Sequence, residues 1–258
     1  MNMRGGEDWV GRLTRDLSVA LAFYTRLPLP YDRAFTGEDL ARASWAAPIA
    51  GAVVGAVGAL AYGLAHAAGL GALPASGLAL AATLAFTGAL HEDGLADSAD
   101  AFGATASPEE RLVIMRDSRI GTFGACALIL SIALRWAALA SVTSPTRAAA
   151  VLIAAHAGAR AVPPLLMLLI PPARPDGLSA AAGLPPADSV AAAAVLGLTA
   201  LILALGLANA LIAAALLALC LFAMRRLALN KIGGQSGDVL GALEQVCEVV
   251  VLLVAARG

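Results

Sequence analysis

Residues 190–224, VAAAAVLGLTALILALGLANALIAAALLALCLFAM, form a run of 35 residues without a charged side chain. An α-helix rises about 1.5 Å per residue and the hydrocarbon core of a bilayer is about 30 Å thick, so about 20 apolar residues suffice for one crossing. The run is too long for a single crossing, and Gly206 and Asn209 mark the most favourable place for a turn. It therefore predicts two transmembrane helices joined near residues 206–209.

The composition of the whole chain indicates the same fold class. Of its 258 residues, 60% are hydrophobic and 14% are charged, which is too apolar for an ordinary soluble domain. We expect an all-α, polytopic membrane helix bundle that forms one domain over residues 1–258. Five further apolar segments bring the expected number of transmembrane helices to about seven: residues 45–69, 76–91, 121–142, 148–170 and 239–255.

Residues 7–27 repeat apolar side chains every three or four positions, which is typical of an amphipathic helix. The charges of Arg12, Arg15 and Asp16 in the first half of this segment favour a position at the membrane interface over a membrane crossing. Pro28 and Pro30 then interrupt the helix, because proline lacks a backbone N–H and disfavours the helical conformation of the residue before it. We expect a loop from there to about residue 44.

An acidic cluster, HEDGLADSAD at residues 91–100, directly follows the second apolar segment. If the helix continues through it, Asp93, Asp97 and Asp100 stand at i, i+4 and i+7 and share one face. Three converging carboxylates repel one another unless a cation joins them, and carboxylate oxygens suit a hard divalent ion such as Mg²⁺. The alternative is a solvated, acidic helix end.

Two further polar segments follow the acidic cluster. Ser107 and Pro108 begin a segment with a helix-capping signal, which leads to Arg116, Asp117 and Arg119. The second segment lies near the C-terminus and reads KIGGQSGD over residues 231–238. Its glycines allow either a close backbone approach to a ligand or a simple tight turn between two helices.

Two arginines fall within predicted transmembrane segments. Arg135 lies near a segment end, so we expect its side chain to extend toward the lipid headgroups. Arg160 lies deeper and precedes two prolines, so we expect it to face a polar cavity and to pair with an anion or an aspartate.

The distribution of positive charge among the loops predicts how the chain is oriented in the membrane. With seven crossings, the loops that hold the polar segments all fall on one side, and most of the arginines and the lysine lie there. The excess of positive charge predicts that this side is cytoplasmic. Carboxylates for a metal, guanidinium groups for phosphate and a glycine-rich backbone together suit the transfer of a phosphate group.

Four ordered motifs resemble the adenosylcobinamide-GDP ribazoletransferase (cobalamin-5′-phosphate synthase) family: TRLP at residues 25–28, HEDGLADSAD at 91–100, MRDSRIGT at 115–122 and GGQSGDVLG at 233–241. The resemblance runs through most of the chain in the same order. It implies Mg²⁺-dependent transfer of the phosphocobinamide half of adenosylcobinamide-GDP to α-ribazole or α-ribazole 5′-phosphate, with release of GMP. It also implies a place in the bacterial inner membrane, with the site facing the cytoplasm.

This resemblance implies roles for the candidate residues. The expected metal ligands are Asp93, Asp97 and Asp100, with Glu92 and Asp117 assisting. Either Asp100 or Asp238 accepts the proton of the attacking hydroxyl. Asp117 completes the candidate catalytic residues. The candidate substrate-binding residues are Arg26, Arg116, Arg119, Arg160, Lys231, Gly234 and Gln235.

Two other functions fit parts of the pattern. A cation-coupled membrane transporter would also carry Asp and Arg among glycine-rich helices, but the acids cluster at one membrane face and no inverted repeat is visible. A CDP-alcohol phosphotransferase that acts on lipid shares the Asp-Gly pair at residues 93 and 94 and a following alanine but differs at Asp97. The expected partners are the two substrates and the lipid bilayer, with a possible homo-oligomer or association with other cobalamin-assembly enzymes. A net charge of −1 and the lack of a basic tract indicate no nucleic acid.

Overall fold

The computed structural model describes residues 9–29 and 35–257, and the regular structure in these ranges is helical. The predicted all-α class is therefore confirmed. A short 3₁₀ turn, Ala43–Ala46, joins the second and third helices. The α-helices are α1 Trp9–Tyr24, α2 Gly37–Arg42, α3 Ala47–Ala67, α4 Ala72–Thr87, α5 Leu90–Gly103, α6 Pro108–Ile114, α7 Thr122–Ala140, α8 Pro145–Arg160, α9 Pro163–Leu169, α10 Leu178–Ala182, α11 Ala187–Ile232 and α12 Gly237–Ala255.

Four helical segments of the described chain are long and apolar enough to cross a membrane, or five if the bent pair α4 and α5 counts as one crossing. The chain is thus a multi-pass membrane protein, as predicted. Helix α12 falls outside this set because it carries three carboxylates, and the count of seven crossings stays a prediction. The four segments are Gly37–Ala67, Thr122–Ala140, Pro145–Leu169 and Ala187–Ile232.

Helix α11 reverses direction near its middle. A straight helix of its 46 residues would be about 69 Å long at about 1.5 Å per residue. Near its start, however, Ser189 Oγ donates to the carbonyl oxygen of Arg42, and the neighbouring Ala43 lines the same cavity as Gly237, which follows its end. Gly206 has φ 75° and ψ 163°, a conformation that favours glycine and interrupts the helix. The predicted turn lies at this residue.

The junction between α4 and α5 corrects a sequence prediction. We expected one helix to run from residue 76 through the acidic cluster, but the chain bends by 89° between the two helices. Gly88 and Ala89 both adopt left-handed conformations, with φ 69° and 57°. A Cβ atom at Gly88 would collide with the guanidinium of Arg26. The acidic cluster is therefore a separate helix with its own direction.

Two expected loops contain helices. The segment before residue 44 includes α2, which begins with a capping box between Thr36 and Asp39, and residues 171–189 include α10. The predicted capping of α6 by Ser107 is confirmed, because this side chain accepts from the backbone N–H of Glu110. The predicted amphipathic helix is present as α1, whereas its position at the membrane interface stays a prediction.

Glycines of α3 allow its close packing on α8. A Cβ atom at Gly51 would clash with the backbone of His156, and one at Gly55 would lie 2.5 Å from the Cα atom of Ile153. Farther along the same face, a Cβ at Gly58 would lie 2.8 Å from Thr83 Cγ2 in α4. The small-residue spacing thus brings α3 against two neighbours, as in other closely packed membrane helices.

Hydrogen bonds join the ends of several helices on the side opposite the acidic helix. Tyr62 Oη donates to the carbonyl oxygen of Val142 at 3.0 Å, and Trp136 Nε1 donates to that of Leu73 at 2.7 Å. The α3–α4 turn and the α7–α8 turn therefore lie together.

Cysteine labelling in intact cells tests this arrangement, in a variant without the three native cysteines. Exposed positions near the acidic end, Thr105→Cys and Asn230→Cys, should react with a membrane-impermeant maleimide only after the cytoplasmic face is opened. Leu73→Cys and Thr143→Cys, which are exposed at the other end, should react without this step, because the positive charge favours a cytoplasmic acidic end. Labelling of Thr105→Cys and Asn230→Cys from different sides would contradict the topology.

Candidate functional site

Close packing of α5 on α12 brings two carboxylates to one place. A Cβ atom at Gly94 would lie 2.7 Å from the carbonyl oxygen of Asp238, and one at Gly241 would lie 3.3 Å from His91 Cα. Two glycines therefore let the helix backbones approach. Asp93 and Asp238 consequently line the same cavity.

The three aspartates of the acidic cluster lie within the single helix α5, as predicted. The carboxylate of Asp97 is close enough to those of Asp93, Asp238 and Asp100 for all three to repel its negative charge. Asp93 is exposed, whereas the other three are half-buried. No described residue donates a hydrogen bond to Asp93 or Asp97. These two carboxylates are available to a ligand.

Asp100 already has hydrogen-bond donors. Its Oδ2 accepts from the backbone N–H of Gly121 at 2.7 Å and its Oδ1 from that of Gly124 at 2.8 Å. A Cβ atom at either glycine would collide with the carboxylate. Asp100 therefore caps the N-terminus of α7, where a negative charge also interacts favourably with the helix dipole. Its predicted role as a metal ligand stays a prediction.

The predicted extension of Arg135 to the headgroups is wrong. Its side chain is 1% exposed and its Nη1 contacts Glu92 Oε1 at 2.9 Å and Glu248 Oε1 at 3.1 Å. The guanidinium thus joins α5, α7 and α12. The carboxylate of Glu92 is engaged by this arginine, while its assisting role at a metal stays a prediction.

Arg160 is buried and its charge is balanced by a glutamate. Its Nη1 lies 2.7 Å from Glu244 Oε1, where we expected an anion or an aspartate. Glu244 also contacts His91 Nδ1 at 3.0 Å, and the Arg160 guanidinium lies 5.7 Å from the centre of the Tyr24 ring. His91 and Tyr24 both line the cavity that Asp93 lines. The role of Arg160 in substrate binding stays a prediction.

A buried trio has the spacing of a metal site. Among the residues that the structure describes, His156, Glu244 and Glu248 alone form a group whose ligand atoms all lie within 4.8 Å of one another. Both carboxylates are already paired with buried arginines, so a divalent cation would meet strong repulsion there. The oxygen ligands of α5 fit Mg²⁺ better, because Asp93 and Asp97 lack such partners.

The cavity beside the acidic helix has a volume of about 240 Å³. Phe23, Tyr24 and Met167 contribute apolar walls, and Asp93 and Asp238 contribute negative charge. Arg174 also lines it. This arginine is not among the residues predicted from the sequence, although a lone cation in a proline-rich loop was a visible signal.

Most of the predicted cations have partners in the structure. Arg116 pairs with Asp176, and the Nζ of Lys231 donates to the carbonyl oxygen of Phe102 at 2.8 Å. Arg119 pairs with Asp117 at 2.6 Å. This arginine lowers the pKa of Asp117 to about 2 through its hydrogen bonds. Arg26 is exposed beside Gly88, and phosphate binding by all four cations stays a prediction.

The glycine-rich segment approaches another part of the backbone. Gln235 N–H donates to the carbonyl oxygen of Pro171 at 2.9 Å, and Ala173 N–H donates to that of Gln235 at 2.8 Å. A Cβ atom at Gly234 would lie 2.8 Å from Ala173 N. Gly234 and Gln235 thus hold the loop that carries Arg174, and their contact with substrate stays a prediction.

Comparison with known proteins places these features in a family. Residues 16–256 match the family described as cobalamin-5-phosphate synthase. The chain is 51% identical over 251 residues to the adenosylcobinamide-GDP ribazoletransferase of Bradyrhizobium diazoefficiens, covering 97% of this chain and 96% of the relative. It is 52% identical over 241 residues to that of Mesorhizobium japonicum, covering 93% and 92%. No solved structure matches.

Fold, site and relatives together define a multi-pass, all-α membrane transferase of cobalamin biosynthesis. The chain belongs to the cobalamin-5-phosphate synthase family. The resemblance identified from the four sequence motifs is thereby confirmed.

Removing the Arg135 charge should destabilise the protein. In Arg135→Met, Glu92 and Glu248 lose their buried counterion, which should cost about 3 to 5 kcal/mol of unfolding free energy. Thermal unfolding in detergent should show a lower midpoint, and Arg135→Met with Glu248→Gln should recover part of the loss. Arg226→Ala, an exposed control on α11, should unfold like the unaltered protein. Equal midpoints for Arg135→Met and this control would refute a structural role for the ion pairs.

Asp100 and Asp93 should differ in their effect on stability. Asp100→Ala removes the cap of α7 and should cost about 1 kcal/mol. Asp93→Ala removes an exposed carboxylate without a donor and should leave stability unchanged or raise it, because carboxylate repulsion falls. Both are measured by thermal unfolding without added metal. A larger loss in Asp93→Ala than in Asp100→Ala would contradict the assignment of the cap.

Proposed function

We propose that this protein transfers the phosphocobinamide half of adenosylcobinamide-GDP to α-ribazole or α-ribazole 5′-phosphate and releases GMP. A ribose hydroxyl of the acceptor attacks the phosphorus that carries cobinamide. The new bond joins this phosphorus to the acceptor oxygen, and the bond to the GMP oxygen breaks. The products are adenosylcobalamin or its 5′-phosphate.

The observation that carries the proposal is the convergence of Asp93, Asp97 and Asp238 beside a cavity. The names of the relatives support the choice of substrates. Phosphate transfer depends on positioning and on charge stabilisation more than on covalent chemistry by the protein. Carboxylates beside a cavity supply ligands for a cation that balances the diphosphate charge.

Asp93 and Asp97 are the proposed Mg²⁺ ligands. They offer oxygen atoms one helical turn apart that no described residue engages by hydrogen bonding. Mg²⁺, when bound there, neutralises charge on the diphosphate oxygens. Asp100 adds its negative charge to the metal site while it caps α7, and Glu92 stabilises α5 through its ion pair with Arg135.

Asp238 is the proposed acceptor of the hydroxyl proton. It lines the cavity, and its Oδ2 accepts a hydrogen bond from Ser236 Oγ at 3.2 Å, which orients the carboxylate. Both oxygens of Asp100, the alternative base, accept backbone hydrogen bonds. This difference favours Asp238, because a base must be free to contact the attacking hydroxyl.

We also place the protein in the bacterial inner membrane with its site facing the cytoplasm. The distribution of Arg and Lys supports this orientation. Arg116, Arg119 and Lys231 lie on loops or helix ends at the acidic side, where they attract the anionic nucleotide. The ion pairs of Arg116 and Arg119 with aspartates open to release a guanidinium toward the leaving phosphate.

Purified protein in detergent tests the function directly. With adenosylcobinamide-GDP, α-ribazole 5′-phosphate and Mg²⁺ it should release GMP, and chelation of Mg²⁺ should stop the release. Asp93→Asn and Asp97→Asn should lower turnover by about 10²-fold or more, because charge stabilisation of this kind contributes at that scale. Glu109→Gln, an exposed control on α6, should keep full turnover. GMP release at the unaltered rate in either Asn variant would defeat the metal assignment.

A further inference from the structure

Arg174 lies in the loop between α9 and α10 and lines the cavity that Asp93 and Asp238 line. It is partly buried, with 19% of its side chain exposed. Arg174 is thus a cation at a cavity whose other charged walls are carboxylates. An anionic group entering this cavity would be repelled without a positive charge.

The guanidinium of Arg174 has unused hydrogen-bond donors. Its Nε and Nη1 are buried and donate to no described residue. Its Nη2 lies 4.0 Å from Asp238 Oδ2, which is beyond hydrogen-bond distance. Buried donors without a partner destabilise the folded protein, because they have lost their hydrogen bonds to water. A bound ligand that accepts these donors would remove this cost.

Three of the predicted phosphate-binding cations differ from Arg174 in this respect. Arg116 and Arg119 are paired with aspartates, and Lys231 donates to a backbone carbonyl. Arg116 and Arg119 are exposed at the surface, with 52% and 87% of their side chains accessible. Among the described residues, Arg174 is the arginine that both borders the cavity and keeps donors available.

The backbone fixes the position of Arg174. Two hydrogen bonds connect Gln235 to Pro171 and Ala173, directly before the arginine. The side chain also packs closely over Gly177, where a Cβ atom would lie 3.1 Å from Nε. A guanidinium held in this way loses little side-chain entropy when it binds an anion.

We propose that Arg174 binds phosphate oxygens of the nucleotide diphosphate inside the cavity. The inference rests on the proposed function for the identity of the nucleotide. The planar guanidinium presents paired N–H groups that match two phosphate oxygens, and this match gives more than a point charge does. Arg174 thereby offsets the repulsion by Asp93 and Asp238 and orients the diphosphate toward them. Gly234 and Gln235 affect substrate binding indirectly, because they hold the loop that carries Arg174.

Binding of inorganic diphosphate tests this proposal without turnover. Isothermal titration of purified protein in detergent, with Mg²⁺ present, should give at least tenfold weaker binding for Arg174→Gln than for the unaltered protein. Arg174→Lys should be intermediate, because lysine keeps the charge but loses the planar donor pair. Arg226→Ala, an exposed control on α11 that does not line the cavity, should bind diphosphate like the unaltered protein. Equal thermal unfolding midpoints establish that the variants compared are folded.

Kinetics provide a second measurement. In Arg174→Lys, the KM for adenosylcobinamide-GDP should rise more than kcat falls, because the contact already forms in the bound substrate. Diphosphate affinity in Arg174→Gln equal to that of the unaltered protein, or no diphosphate binding by the unaltered protein, would overturn the proposal. Failure of the unaltered protein to release GMP would instead refute the proposed function. The titration still reports on Arg174 in that case.

Discussion

Two buried arginines must keep their counterions, and much of the structure depends on this requirement. A guanidinium removed from water within an apolar bundle is costly unless carboxylates surround it. Arg135 and Arg160 meet Glu92, Glu248 and Glu244, so four helices are joined through charged contacts. Apolar packing alone has little direction, whereas these contacts fix which faces of α5, α7, α8 and α12 meet. The candidate site therefore lies directly above a structural network of ion pairs.

The same network of ion pairs divides the acidic residues into two groups, those paired with buried arginines and those that can bind a ligand. Glutamates of α5 and α12 point into the bundle toward arginines, while Asp93 and Asp238 line the cavity and Asp97 lies near both of them. Helix geometry allows this division, because neighbouring positions of a helix face different directions. Helices α5 and α12 thus supply both the buried ion pairs and the carboxylates at the cavity. Substitutions on the two sides are expected to have different consequences, for stability and for turnover respectively.

Local patterns predicted those parts of the molecule that depend on short-range spacing. The apolar runs, the cap of α6 and the single face of Asp93 and Asp97 follow from helical periodicity. The partners of Arg135 did not, because they lie 43 and 113 positions away in the chain, and no local signal distinguishes a buried ion pair from a headgroup contact. The bend between α4 and α5 could not be predicted from the sequence either, because alanine, found at position 89, has the highest helix propensity. Such features are decided by tertiary contacts.

The right angle between α4 and α5 also determines the depth of the site. If α4 crosses the bilayer along its normal, a helix bent by 89° runs parallel to the membrane plane. From Asp93 to Asp100 the chain then advances about 10 Å at about 1.5 Å per residue, yet the three aspartates, which share one face of α5, remain at a similar distance from the aqueous phase. A helix that continued straight would carry each successive acid to a different dielectric environment. Water-soluble ligands, cations included, can therefore reach Asp93 and Asp97 from the same layer at the membrane surface.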